Sequence, residues 1–251
     1  MNILVCIKPV KKEMVNENKD LCEKFCINPY DLFALKEALK IKESANDTKI
    51  ECVCMGTKDA QEVLTRCVAM GVDEVYLLND SIFAGSDTIA TSYVLSKFME
   101  NRLYDYIFCG CKSIDGETGQ VVYGLAERLQ YSCVTKVKEI TKREENALIM
   151  VKAEEKNDSI LKAYEHTVVV FEDFSIETSI SLIAMKRANR RTINILTAQD
   201  LETDVSQCGL KGSKTQVVSV TDILEKRECK YIKDDVKEQA RILQELVKAY
   251  C

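Results

Sequence analysis

Along the first 130 residues, short apolar runs alternate with segments whose apolar positions recur every three or four residues. The runs ILVCI (3–7), IECVCM (50–55), EVYLL (74–78) and YIFC (106–109) show no sustained polar alternation, the pattern of strands buried on both faces. Between them, Leu32, Leu35 and Leu39, then Ala60, Val63, Leu64, Cys67 and Val68, then Ile89, Ala90, Tyr93, Val94 and Phe98 each make one apolar stripe of a helix. Strand and helix alternating in this way predict an α/β fold: a parallel sheet flanked by helices, with ligands at the carboxyl ends of its strands.

The pattern changes after residue 130. CVTKVKEI, ALIMVKAEE and SILKAYEHTVVVFED are strands broken by polar turns at REEN and KND, which predicts an antiparallel extension. ISLIAMKRANRR then reads as a basic helix, followed by NILTAQDL. The tail has no apolar stripe until Val236, Ala240, Leu243 and Val247 mark a last amphipathic helix. This organisation divides the chain into a domain over 1–190 and an arm over 191–251 suited to packing on another chain.

Composition narrows the possibilities. In 251 residues, 46% are hydrophobic, enough for a buried core, and a formal charge of −5 with mixed signs carries no electrostatic footprint for nucleic acid. The first apolar run is too short for a signal segment or a membrane span, which predicts a cytoplasmic protein without direct membrane insertion. The 12 cysteines lie mostly in apolar runs, where a thiol packs as a small hydrophobe. The pairs Cys52/Cys54 and Cys109/Cys111 lack the two further donors that a zinc or iron–sulfur site needs. His166, the single histidine, has no advertised partner for nucleophilic catalysis.

The candidate chemistry lies in the turn between YDYIFCG and the next helix, CKSIDGETGQ. A helix start offers unpaired N–H groups and a partial positive charge, so a phosphate fits there. Gly116 and Gly119 permit close approach, and Thr118 and Gln120 can donate hydrogen bonds. Asp115 and Glu117 would repel phosphate unless turned away, and Asp115 could instead cap the helix. Nucleotide binding and a plain capped helix are both compatible with the residues alone. GSDTIATSYVL repeats the theme: Ser86 or Asp87 can cap, and Thr88 and Thr91 share one face at an open helix start, suited to a second phosphate or a sugar chain. Neither G-x-G-x-x-G nor G-x-x-x-x-G-K-[ST] occurs, so a nucleotide here is bound rather than hydrolysed.

The segments ILVCIKPV, NPYDLFALKEALKIKE, AMGVDEVYLLND, FAGSDTIATSYVL, SIDGETGQV, MKRANRR, ILTAQDL, GLKGSKTQVV and KRECKYIKDD follow one another as in the β subunit of electron transfer flavoproteins, which the chain resembles nearly end to end. The resemblance implies a Rossmann-like adenine-nucleotide-binding fold that pairs with an electron transfer flavoprotein α subunit and carries electrons between a flavin dehydrogenase, such as an acyl-CoA dehydrogenase, and other redox partners. It implies nucleotide contacts at Cys6, at Asn28, Pro29, Tyr30 and Asp31, at Met55, and along Gly110, Cys111, Lys112, Ser113, Ile114, Asp115, Gly116, Glu117, Thr118, Gly119, Gln120 and Val121.

The nucleotide is either AMP or, in the electron-bifurcating branch, FAD. Asp87, Thr88, Ala90 and Thr91 resemble the D-T-x-A-T of that branch, which makes FAD the expectation, with Thr88 and Thr91 on its pyrophosphate or ribityl portion. The resemblance also implies a partner-recognition segment at about residues 175–191, with Leu182 as apolar anchor and Lys186, Arg187, Arg190 and Arg191 as a basic face. The chain departs from the family's V-P-D at Val10, Lys11 and Lys12, from its E-P-R at Glu177, Thr178 and Ser179, and from its G-S-P-T at Gly212, Ser213, Lys214 and Thr215. A stand-alone nucleotide-binding protein of the universal-stress type is the rival from another class; it would form homodimers and would not need the tail.

Overall fold

The computed structural model describes residues 1–15, 24–45, 47–176, 180–219 and 235–250. The chain divides into two compact units, residues 1–216 and 217–251. In chain order the first unit carries β1 (Asn2–Cys6), β2 (Pro9–Lys11), β3 (Phe25–Ile27), α1 (Pro29–Ser44), β4 (Lys49–Met55), α2 (Ala60–Met70), β5 (Glu74–Leu78), α3 (Thr88–Met99), β6 (Tyr106–Gly110) and α4 (Val121–Leu129). There follow β7 (Ser132–Glu144), β8 (Ala147–Lys152), β9 (Ser159–Tyr164), β10 (Thr167–Phe171), α5 (Leu182–Ala188), β11 (Asn194–Leu196) and α6 (Gly209–Gly212). The second unit contains α7 (Val236–Tyr250).

The main sheet has nine strands in the order β11-β5-β4-β1-β6-β10-β7-β8-β9. It is parallel from β11 through β7, and the β7–β8 and β8–β9 pairs are antiparallel. Successive residues of β1 point to opposite faces. Ile3 and Val5 join one buried layer with Leu32, Leu35, Val63 and Leu64 of α1 and α2. Leu4 joins the other with Val94, Phe98, Val122 and Leu125 of α3 and α4. Both faces are therefore covered, as the unbroken apolar runs require.

Two features differ from the sequence expectation. SILKAYEHTVVVFED is two strands: β9 is one edge of the sheet, whereas β10 enters the parallel body between β6 and β7. The break is at His166, which adopts a left-handed φ of 60° while its N–H donates to the Asp105 carbonyl at 2.7 Å. NILTAQDL, expected in the arm, supplies β11, which pairs in parallel with β5 and belongs to the first unit.

The order of connections positions the site. The chain steps outward from β1 to β4 and β5, then returns to the other side of β1 as β6. Neighbouring connections leave β1 and β6 toward opposite faces, which opens a crevice at their carboxyl ends.

In the second unit, α7 exposes Val236, Leu243 and Val247, and Arg241 pairs with Glu238 and Glu245. The departures at Glu177, Thr178 and Ser179 and most of KRECKYIKDD lie outside the described residues. Among the described residues no helix is long and apolar enough to cross a membrane.

Candidate functional site

The crevice between β1 and β6 is spanned by one carboxylate. Asp31, in the first turn of α1 and 7% exposed, accepts from the Lys8 N–H at 2.9 Å and the Gly110 N–H at 3.3 Å. Burial pushes its carboxyl up to about 7, against the opposing pull of the Lys8 and Gly110 N–H groups and the Asn28 side chain. Asn28 precedes Pro29, the first residue of α1, and is 1% exposed. Its side chain makes no helix cap; it donates to the Lys112 carbonyl at 2.9 Å and accepts from the Ile114 N–H at 3.3 Å, which fixes the start of the loop after β6. Gly110 is required where α1 meets β6: a Cβ there would lie 2.5 Å from the Tyr30 Cβ and 2.7 Å from the Tyr30 carbonyl carbon.

The loop that follows resolves the objection its acidic residues raised. Asp115 does not cap α4; its carboxylate takes the Lys8 ammonium at 2.6 Å, and Lys8 also donates to the Ser113 hydroxyl at 3.2 Å. Burial opposes ionisation of Asp115, yet Lys8 and Ser113 hold its carboxyl below the ordinary value. Glu117, at a left-handed φ of 51°, pairs with Lys112 at 3.3 Å. Both carboxylates of the loop are thus neutralised by lysines at its edge. Among the described residues no side chain caps the start of α4, so its first-turn N–H groups remain available to an anion. Gly119, with φ 62°, turns the chain into that start, and Thr118 and Gln120 are exposed beside it.

The start of α3 is built differently. Asp87 caps it, accepting from the N–H groups of Ile89 at 2.9 Å and Ala90 at 3.0 Å through one oxygen. The other oxygen accepts from the N–H groups of Lys214 at 2.7 Å and Thr215 at 3.0 Å. The expectation of an open helix end here is corrected: Asp87 closes it and ties down residues 214–215. These N–H groups hold the Asp87 carboxyl below its ordinary value although burial opposes them. Thr88 and Thr91 are half-buried, and neither hydroxyl has a hydrogen-bond partner among the described residues.

The two helix starts are neighbours. A Cβ on Gly124 would lie 2.7 Å from the Ser92 hydroxyl, so α3 and α4 cross in near contact there. Ser92 and Gly124 each lie about one turn inside their helices, so the threonines and the α4 start share one rim.

Sulfur lines the floor of that rim. Cys6 at the end of β1, Met55 at the end of β4, and Cys111 and Val121 around β6 and α4 pack onto the same layer as buried Cys109. Burial pushes the Cys111 thiol up. Among the described residues no group of His, Cys, Asp and Glu is arranged to hold a metal ion. A polar cleft of about 570 Å³ lies at the opposite ends of α3 and α4, lined among others by Lys97, Glu100, Arg128 and Asp204, and includes none of the crevice residues described above.

The expected partner-recognition residues lie elsewhere on the first unit. Ser181 caps α5, and Leu182 is 80% exposed rather than part of the core, with Ile183 exposed beside it. Lys186, Arg187 and Arg190 are exposed, while Arg191 donates to the Asp73 carbonyl at 2.7 Å. Lys8, which sequence reading did not single out, is the main addition to the site; an exposed lysine after a strand carries no signal of the loop 105 residues away to which it pairs.

The family model described as the electron transfer flavoprotein domain matches residues 19–171. An electron transfer flavoprotein subunit beta from Thermoanaerobacterium thermosaccharolyticum is 36% identical over 98% of this chain and 97% of its own length. The caffeyl-CoA reductase-Etf complex subunit CarD of Acetobacterium woodii is 31% identical, with 86% of each chain covered. Protein FixA of Azotobacter vinelandii is 48% identical over a shorter stretch, 45% of this chain and 42% of its own.

Proposed function

The chain belongs to the electron transfer flavoprotein family, and from that membership we propose that it is a β-type subunit holding FAD beside an α-type flavoprotein subunit. The observation that carries the reading is the uncapped start of α4 at the switch-point crevice, with Asp115 and Glu117 already paired to Lys8 and Lys112. A phosphate then meets free N–H dipoles and no unpaired carboxylate from its own loop. The unpartnered hydroxyls of Thr88 and Thr91 on the same rim favour FAD over AMP. Because Asp87 fills the start of α3 with negative charge, those hydroxyls suit the ribityl chain better than the pyrophosphate.

A bound flavin would supply the one- and two-electron chemistry. The chain's own part is to bind and orient it: Asn28 and Asp31 fix the crevice, Lys8 and Lys112 neutralise the loop, and Cys6, Met55 and Val121 offer a water-poor floor. Leu182 and Ile183, with the neighbouring basic residues, make a face for an acidic-rimmed dehydrogenase partner. The name of the caffeyl-CoA reductase-Etf complex subunit supports a place in a complex of that kind, and a FAD held by this chain would suit it to electron bifurcation there. Retention of AMP alone is the second reading, favoured by the closed start of α3. Coexpression with an α-type subunit, anaerobic purification and counting of released nucleotides test both. FAD in the β subunit supports the first reading; one FAD and one AMP per heterodimer support the second, and no nucleotide in this chain refutes both.

A further inference from the structure

The β1–β6 ladder ends at Val5 opposite Phe108, so the next two residues facing each other across the crevice are Cys6 and Cys109. Above them the gap is closed again, since the Asp31 carboxylate takes both the Lys8 and Gly110 N–H groups. Held from below by ladder bonds and from above by this bridge, the two cysteines keep close to the ordinary strand separation of about 5 Å, inside the Cα separation that a disulfide spans. Both side chains pack on the α3/α4 face of the sheet. Cys6 is partly exposed at the crevice floor, whereas Cys109 is 4% exposed.

We propose that Cys6 and Cys109 form an oxidisable pair, and that their cross-linking closes the crevice to nucleotide. The proposal rests on the reading of this crevice as a nucleotide site. The oxidant is a small-molecule disulfide. The accessible Cys6, as thiolate, attacks one of its sulfurs and expels one thiolate, leaving a mixed disulfide; the buried Cys109 thiol then attacks the Cys6 sulfur, its proton passing to the second thiolate as that group leaves as a thiol. Two protein thiols are oxidised and one disulfide is reduced to two thiols. The reaction joins the two sulfurs by a bond of about 2 Å and locks both side chains across the crevice floor that must accept the ligand. Adjacent strands impose strain on such a bond, which makes it readily reducible and the closure reversible.

The test uses the full-length chain, with and without oxidised glutathione, followed by alkylation of remaining thiols and peptide mapping. The expected product joins the peptide starting at Met1 to the peptide Leu103–Lys112 through Cys109, and it costs at least about ten-fold in AMP or FAD affinity, restored by dithiothreitol. Cys109→Ala should bind nucleotide when reduced and lose its response to the oxidant. A link through Cys111, a link between two chains, or full affinity in the cross-linked protein overturns the proposal. Absence of nucleotide binding by the reduced chain would instead refute the nucleotide reading, while the peptide map still reports on the pair.

Discussion

Gly110 and Gly116 sit six residues apart on the same rim, and their surroundings predict opposite outcomes for the same added methyl group. At Gly110 an alanine Cβ would lie 2.5 Å from the Tyr30 Cβ, 2.6 Å from the Asp31 Oδ1 and 2.7 Å from the Tyr30 carbonyl carbon. Two of these three atoms are fixed by the α1 backbone, so relief requires α1 to move off β6 and to stretch the 3.3 Å bond from the Gly110 N–H to Asp31. Overpacking of this kind costs about 3 kcal/mol, which for a domain of this size lowers Tm by roughly 6–12 °C. At Gly116 the nearest atoms to a new Cβ are the Ser113 hydroxyl at 3.6 Å and the Lys8 ammonium at 3.8 Å, both ordinary contacts. Gly116→Ala should therefore leave stability within about 0.5 kcal/mol and yet, by filling space in front of the loop, weaken AMP or FAD binding by about ten-fold. Thermal unfolding and equilibrium dialysis on the two variants check this. Unchanged stability in Gly110→Ala refutes the packing argument, and unchanged nucleotide affinity in Gly116→Ala refutes the approach of the ligand to that face.

Thr88→Val with Thr91→Val removes two unpartnered hydroxyls; at about 1 kcal/mol for each lost hydrogen bond, FAD should weaken by roughly 30-fold and AMP hardly at all, as measured by fluorescence and calorimetric titration. Asp31 takes up its proton more readily in the folded chain, at about 7, than at the ordinary 3.8. Its contribution to stability is therefore complete below about pH 4 and is lost as pH rises through about 7, by up to about 4 kcal/mol. Urea unfolding of the native chain against Asp31→Asn should show that slope, and a flat difference would refute it. Asp87→Ala leaves the start of α3 uncapped and residues 214–215 untied, with an expected loss of about 2 kcal/mol and faster amide exchange at Lys214 and Thr215.

The parallel body was legible because its strands are unbroken apolar runs and its helices carry clear stripes; α7 likewise follows Val236, Ala240, Leu243 and Val247. The place of β10 was not, because the left-handed turn at His166 leaves no glycine or proline to mark it. The loop after β6 was recognisable from Gly116, Thr118 and Gly119. What made it suitable for an anion was hidden, since Lys8 pairs with Asp115 across 107 residues. The closed start of α3 was missed for a similar reason: Asp87 was readable as a cap, but its second oxygen is taken by backbone 127 and 128 residues further on.

The paired charges of the β6–α4 loop also set the range over which an anion can sense it. Each lysine stands within 3.3 Å of its carboxylate, a separation well inside the physiological Debye length of about 8 Å, so the two fields cancel before they reach far into solvent. Such a rim does not steer phosphate from a distance, and added salt has little long-range attraction to screen. Recognition is left to N–H dipoles that act on contact, which predicts an unsteered association rate and an affinity nearly indifferent to ionic strength.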